Sequence, residues 1–328
     1  VKVSVSGVVA VLLTVTALPS LAARVTGRWP SPAPKLAALA PLAVLPAVAA
    51  VAVAATARWW LALLLALPAV ILLGWQLPRL SRPAPRPVPE RVPPHPGDGA
   101  VTLRVLTLNM QGEQADPAAV LSSLRRHRVD VLAVQELTPH MVGRLADAGL
   151  SDLLAFCHLD PRPGSSGTGL WARWPLIPLP PVPGLGAAAP RARVEPIPGS
   201  PVTVSAVHPI APTRGHDDEW HRDLALIRSV LADAAEPQVV AGDFNASRDH
   251  RPFRALLACG FLDCGDAAAN RSWPGFTWPV GHVIRPLVRL DHVLVSRAGA
   301  KIRQARVIRV PGTDHRGVFA VIEFRPTA

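Results

Sequence analysis

Tyrosine is absent from this 328-residue chain, lysine occurs only as Lys2, Lys35 and Lys301, and there are three cysteines. Cys157, Cys259 and Cys264 show neither CxxC spacing nor a histidine-rich neighbourhood, which argues against a structural zinc site. Their odd number and the glycine between Cys259 and Cys264 favour buried or free thiols over a disulfide. With so little lysine, the formal charge of +11 rests on arginine. That pattern points to a GC-rich coding sequence before it points to a polyanionic partner. Fixed positive charge nevertheless concentrates phosphate-bearing ligands and anionic lipid headgroups.

Charge is also missing from three long runs near the N-terminus, residues 3–23, 36–57 and 59–77. None has the polar stripe of a helix half-buried in a soluble core. Each is about the length, some 20 residues, needed to cross a hydrocarbon core as helix. Residues 1–77 therefore read as a membrane anchor of two to three helices. Trp59, Trp60 and Trp75 stand at the ends of the third run, where indoles favour the headgroup zone. The first run follows Lys2 and ends in the small residues of a signal-peptidase site, so it is either a span or a signal peptide. Counting positive charges places the C-terminal part in the cytoplasm, whereas the signal-like start places it outside. The expectation is a multi-pass protein of the cell membrane, its C-terminal domain extracytoplasmic. Residues 78–100, dense in proline and arginine, cannot sustain helix or sheet hydrogen bonding and read as an extended linker.

From Val101 onward the pattern is that of an α/β protein. Residues 101–109 alternate as a strand ending at Asn109. Pro117 to Arg128 has helical spacing with Asp116 as N-cap. Residues 129–136 form an apolar strand ending in Gln135 and Glu136. Residues 167–175, 191–196 and 201–208 follow as strands, the last ending at His208. Glu219 to Ala234 is an amphipathic helix, and residues 238–245 are a strand that stops at Asp243 and Asn245. Asp291 opens the strand of 289–296, and Asp314 and His315 precede the last strand.

Polar residues thus recur where strands end. Two packed sheets gather such ends at one rim, so Asn109, Glu136, His208, Asp243, Asn245, Asp291, Asp314 and His315 are expected to converge. Oxygen donors without paired thiols suit Mg²⁺ or Mn²⁺, and the chemistry expected of that set is phosphoryl transfer to water.

At these residues the sequence resembles the endonuclease/exonuclease/phosphatase superfamily. The resemblance covers Leu103 to Phe324 and rests on six ordered motifs: LeuAsn109, GlnGlu136, ValHis208Pro, GlyAsp243PheAsn245, ArgLeuAsp291His and Asp314His315. It implies a four-layer α/β sandwich, two packed mixed sheets flanked by helices, in a catalytic domain spanning 101–328. Glu136 would be the principal metal ligand with Asn109 nearby, and Asp314 would bind a second ion or assist the leaving group. His208 and His315 would meet the charge developing on phosphoryl oxygens, with Asp291 orienting His315. Asn245 would hold water or a phosphate oxygen. The base would be Asp243 or the Asp291–His315 pair.

The DNA-repair branch of that family carries a tyrosine near the position of His208, which this sequence, lacking tyrosine, does not. His208 points to the phosphatase and phospholipase branches, and the apolar anchor points to a lipid-linked phosphate or pyrophosphate among membrane lipids. The overall plan is similar to actinobacterial membrane phosphatases associated with teicoplanin resistance. Nucleic acid is the alternative substrate, taken by a membrane-tethered nuclease.

Overall fold

Pro41 breaks the second long apolar run. A proline inside a helix has no amide to donate and crowds the preceding turn, and the chain here folds as two helices around a turn. The computed structural model describes residues 5–26, 33–56, 67–68, 70–72, 74, 101–213, 215–232, 236–268, 270–271, 275–281 and 285–324. Helix α1 (Val5–Thr26) is followed by α2 (Ala33–Ala38), a turn in which Ala40 N donates to Ala37 O and Leu42 N to Leu39 O, and α3 (Val44–Thr56). At 1.5 Å per residue α3 extends only about 20 Å, short of a hydrocarbon core of about 30 Å. Most of 59–77, and the whole of the 78–100 linker, lie outside the described residues. Among those described, one helix, Val8–Thr26, is long and apolar enough to cross a membrane. The described residues thus support a single candidate span rather than the multi-pass anchor expected from hydropathy.

By its contacts the chain divides into two compact units. One is Val1–Pro83 with Pro212–Asp217 and Ser247–Arg254; the other is Ala84–Ala211 with Asp218–Ala246 and Ala255–Ala328. Within the first, Ala17 of α1 packs with Ala43 and Ala47, while Val8, Val11, Leu12, Val15 and Leu18 stay exposed.

The second unit holds the strands β1 (Val101–Asn109), β2 (Val131–Gln135), β3 (Phe156–Asp160), β4 (Thr168–Ala172), β5 (Ile177–Leu179), β6 (Arg191–Val194) and β7 (Val202–Val207). After these come β8 (Gln238–Asp243), β9 (Phe261–Asp263), β10 (Asn270–Arg271), β11 (Asp291–Ser296), β12 (Ala300–Arg309) and β13 (Arg316–Phe324). Among the described residues they make two mixed sheets, a seven-stranded one ordered β10-β12-β13-β1-β2-β4-β3 and a six-stranded one ordered β5-β6-β7-β8-β11-β9. Each centres on one parallel pair, β1 with β2 and β7 with β8, flanked by antiparallel neighbours.

Helices supply the crossovers that these two central parallel pairs require. Helix α4 (Pro117–His127) joins β1 to β2 and is capped as its sequence predicts, Ala118 N donating to Asp116 Oδ1 at 3.0 Å. After β2 comes α5 (Pro139–Asp147), N-capped by Thr138. Both α4 and α5 lay apolar side chains, among them Leu121, Leu124 and Met141, on the outward Leu106, Leu108 and Leu132 of the first sheet. Between β7 and β8 runs α6 (Asp217–Ala232), with Trp220, Leu224 and Ile227 on its buried face. Two shorter helices, α7 (Arg251–Ala258) and α8 (Cys264–Ala267), complete the described elements. All three cysteines are free, Cys264 buried and the other two exposed.

Strand side chains alternate between faces, and that period carries the polar strand ends into the space between the sheets. On β1 the residues Leu103 and Val105 face inward, on β8 Val239 and Ala241, on β7 Val204 and Ala206, and on β11 Val293 and Val295. By the same parity Asn109, Asp243, His208 and Asp291 continue those faces. Three alanines, Ala133, Ala206 and Ala241, lie one inward step below Gln135, His208 and Asp243.

Candidate active site

Two rows of side chains meet where the sheets end together. On the first sheet Asn109 of β1, Gln135 of β2 and Thr168 of β4 are successive cross-strand partners. On the second, Asp243 of β8 is the partner of Asp291 of β11, and Val207 of β7 pairs with Gly242, so His208 follows beside Asp243. All of these side chains are buried.

The rows touch through Asp243. Its Oδ2 accepts from Asn109 Nδ2 at 3.1 Å, and the same amide donates to Glu136 Oε1 at 3.1 Å. His208 Nε2 and His315 Nε2 each stand 3.7 Å from that Oδ2. Asp243 Oδ1 accepts the backbone amide of Asn245 at 2.8 Å, and Asn245 Nδ2 donates to Pro209 O at 3.0 Å. Asn245 (φ 46°) and Glu136 (φ 54°) both adopt left-handed backbone, a conformation asparagine tolerates better than most residues and one that is unusual for glutamate. Strain concentrated at two strand ends marks where the chain is bent to aim side chains.

Each imidazole is fixed from behind. His315 Nδ1 bonds Asp291 Oδ2 at 2.9 Å, and His208 Nδ1 donates to the Ser165 carbonyl at 3.0 Å, so both rings turn Nε2 to the centre. Asp314 lies on the His315 side, its Oδ1 3.9 Å from Nε2 and its Oδ2 accepting from Trp278 Nε1 at 3.1 Å. It is tied to Asn109 through Gln111, whose amide donates to Asn109 Oδ1 at 2.8 Å and whose Oε1 accepts from Asp314 N at 2.9 Å. The eight sequence-predicted residues are thus connected, Asn109, Glu136, Asp243, Asn245, His208, His315 and Asp291 by direct approach and Asp314 at their edge.

Sequence reasoning passed over Gln111, Thr313, Thr277 and Ser165. Thr313 Oγ1 donates to Asn109 O at 2.8 Å and accepts from His315 N at 3.1 Å, and Thr277 Oγ1 accepts from the amides of Leu290 and Asp291. A hydroxyl two residues before His315 is a local turn signal that was available to be read; the other contacts join distant segments and leave no local trace.

Electrostatics separates the two carboxylates. Burial pushes Asp291 up, reinforced by the charge of Asp243 and only partly offset by His315. For Asp243 burial is outweighed by His315, His208 and the amide donors of Asn245 and Asn109, which hold its carboxyl below the ordinary range. Burial works against charge on His315 too, but Asp291 and then Asp243 overcome it and push the imidazolium up to about 10. Its folded value is raised above the ordinary 6.5, so the stabilisation it contributes is fully present below about pH 6.5 and is lost as pH rises through about 10. Nitrogen NMR of the protein without divalent ions is expected to find the His315 ring doubly protonated at pH 8. Titration near pH 6.5 would contradict the arrangement.

Two groupings are chemically able to take a cation. Ligand atoms of Asp243, Asp291 and His315 lie within 4.8 Å of one another, but there the imidazolium already supplies positive charge and would have to lose its proton. Glu136 has no cationic partner among the described residues, and its neighbour Asn109 offers only a neutral amide. A carboxylate at the cleft, without thiols, fits a hard divalent ion such as Mg²⁺ or Mn²⁺, and Asn109 would join it by turning toward the ion the amide oxygen that here accepts from Gln111 N.

The sequence profile described as "Endonuclease/Exonuclease/phosphatase family" matches residues 106–315, more than half of the chain. Among solved structures, an endonuclease/exonuclease/phosphatase from Beutenbergia cavernae is 21% identical, with a TM-score of 0.55 over 69% of this chain and 73% of that one. A humanized D. rerio TDP2 is 18% identical, with a TM-score of 0.53 over 67% of this chain and 98% of its own. A mannosyl-6-phosphatase from Bacteroides thetaiotaomicron is 12% identical, with a TM-score of 0.52 over 67% of this chain and 99% of its own. At such identities the likeness is one of fold. Among curated proteins no sequence matches.

Proposed function

Because the chain belongs to the endonuclease/exonuclease/phosphatase family, whose members hydrolyse phosphoesters and generally use divalent metal ions, we propose that it hydrolyses a lipid-linked phosphate or pyrophosphate at a membrane surface. The observation that carries the hydrolytic reading is the buried Asp243 carboxylate set between two imidazoles at 3.7 Å. Asp243 orients the attacking water and takes its proton, the negative oxygens of the phosphoryl group lie against the Nε2 edges of His208 and His315, and Asn245 holds the water or a phosphate oxygen. His315, kept cationic by Asp291 and Asp243, is a charge donor to the phosphoryl group, which leaves the base role to Asp243. Glu136 and Asn109 would hold Mg²⁺ or Mn²⁺, with Asp314 placed for a second ion, and the metal would supply further positive charge to the reacting group.

The lipid side of the proposal rests on α1, whose exposed valines and leucines suit acyl chains. The signal-like start favours a catalytic unit outside the cell, against the count of positive charges, and that is the placement proposed. Protease added to intact cells should then digest it; digestion only after lysis would overturn this placement.

Full-length protein in nanodiscs, given Mg²⁺ and in turn a prenyl pyrophosphate, sphingomyelin, a phosphoinositide and DNA, tests the chemistry. Turnover on a lipid substrate is expected, with chelation abolishing it. Glu136→Ala should raise the Mg²⁺ concentration for half-maximal rate by about tenfold or more. Unchanged Mg²⁺ dependence would remove Glu136 from the metal site. The arginine-borne charge of +11 supports a second reading, a tethered nuclease, which instead requires cleavage of DNA with binding that weakens steeply with salt.

A further inference from the structure

Asp291 and His292 are consecutive on β11 and point to opposite faces. Asp291 serves the site between the sheets; His292, 1% exposed, lies on the far side. There its Nδ1 bonds Asp263 Oδ2 at 2.9 Å and its Nε2 bonds the Ala246 carbonyl at 2.9 Å. Asp263 is the last residue of β9 and is anchored in turn. Its Oδ1 accepts from Gly265 N at 2.9 Å, and its Oδ2 is 3.3 Å from Arg289 NH1, which also reaches Asp266 at 3.1 Å. The ring of Phe244 stands edge-on to His292, centroids 5.7 Å apart.

Ala246 directly follows Asn245, whose left-handed backbone (φ 46°) lets its amide reach Asp243 at 2.8 Å. A non-glycine residue keeps that conformation only where its surroundings enforce it. The segment is held upstream by Phe244 N on Leu290 O at 2.9 Å and downstream by His292 on Ala246 O. Both holds come from the stretch 290–292, the same stretch that carries Asp291 to His315. One strand end therefore fixes the base and the cationic imidazole relative to each other, from opposite faces.

Burying a carboxylate, a guanidinium and an imidazole is a costly way to gain stability, since apolar packing of the same volume does as well or better. What the network provides that apolar side chains cannot is a directed hydrogen bond to one carbonyl. We infer that His292, backed by Asp263 and Arg289, is a positioning residue for the reaction, holding the Phe244–Ala246 turn so that Asn245 and Asp243 keep their alignment. This rests on the hydrolase reading of the site.

The test uses the full chain with Mg²⁺ and bis(p-nitrophenyl) phosphate. Loss of an outer partner of this kind lowers activity by about 10- to 100-fold, so His292→Ala should lower kcat by that factor with KM within about twofold. Amide exchange at Asn245 and Ala246 should accelerate while core strands stay protected. His292→Gln, which can still donate to Ala246 O, should recover most of kcat. Should His292→Ala fail to fold, Asp263→Asn, which keeps the Gly265 contact through Oδ1, carries the same expectation. Unchanged kcat in the folded variant, or a loss no larger than the loss of folded protein, overturns the inference. Asp243→Asn run alongside separates the two ideas. If the wild-type chain itself shows no turnover the hydrolase reading falls; if Asp243→Asn retains turnover the assignment of Asp243 as base falls, and His292 with it as a positioning residue; if Asp243→Asn is inactive and His292→Ala is not impaired, only the inference falls.

Discussion

Asp243→Asn is expected to lower kcat by about a thousandfold while the protein stays folded. The change preserves shape and removes charge, so it isolates what the carboxylate contributes. An amide cannot accept the proton of an attacking water, and positioned proton transfer is typically worth about 10²- to 10⁴-fold. The substitution also takes away the negative charge that faces His208 and His315 at 3.7 Å. One of the supports of the His315 imidazolium is thereby lost, leaving Asp291 as its nearest carboxylate. Steady-state kinetics on the lipid phosphate or a chromogenic diester, with thermal melting as the control for folding, decides the matter. A kcat within tenfold of wild type would remove Asp243 from the chemistry.

Gly242→Ala is expected to be among the most damaging methyl additions in the domain. A Cβ at Gly242 would lie 2.0 Å from Val207 O and 2.9 Å from its carbonyl carbon, both backbone atoms of the paired strand. No rotamer change relieves such a clash; β7 and β8 must separate. A cost of about 3 kcal/mol or more is expected, in the upper range for single substitutions. Since His208 and Asp243 are the next residues on those strands, activity should fall further than stability accounts for. Gly143→Ala on α5 is the matched control, because a Cβ there meets nothing within 4 Å. It should stabilise by up to about 1 kcal/mol through helix propensity. Urea midpoints of the two variants moving together would contradict this account.

The parts of the fold that could be read from sequence are those with a clean period. Residues 101–109, 201–208 and 238–245 each alternate or run apolar and then stop on a polar side chain, because the interior accepts apolar groups along the strand and polar ones only at the rim. Strand β12 was not anticipated. Its lysine, arginines and glutamine interrupt the alternation, and its ladder slips between Ile302 and Gln304. Strand β3 is an edge strand with Phe156 and Cys157 exposed, so burial imposes little pattern on it. Over 36–57 hydropathy sums side chains without regard to backbone, whereas Pro41 acts on the backbone, and the run folds as two helices around a turn. At the site the side chains that carry charge were legible, but their fastenings were not. Ser165 O, Pro209 O and Thr277 Oγ1 act on partners 13 to 43 positions away, which no local window contains.

The alanines at 133, 206 and 241 give the site an unusual kind of adjustability. They lie directly beneath Gln135, His208 and Asp243, and their small side chains let the two sheets come near enough for Asn109 to meet Asp243 at 3.1 Å. The residues proposed to hold the metal belong to one sheet and the proposed base to the other. The gap between these two halves of the reaction is therefore gauged by methyl groups that never encounter substrate. A lineage could retune this catalyst, for a bulkier phosphate or a larger ion, by exchanging alanine for glycine or valine in a layer with no chemistry of its own.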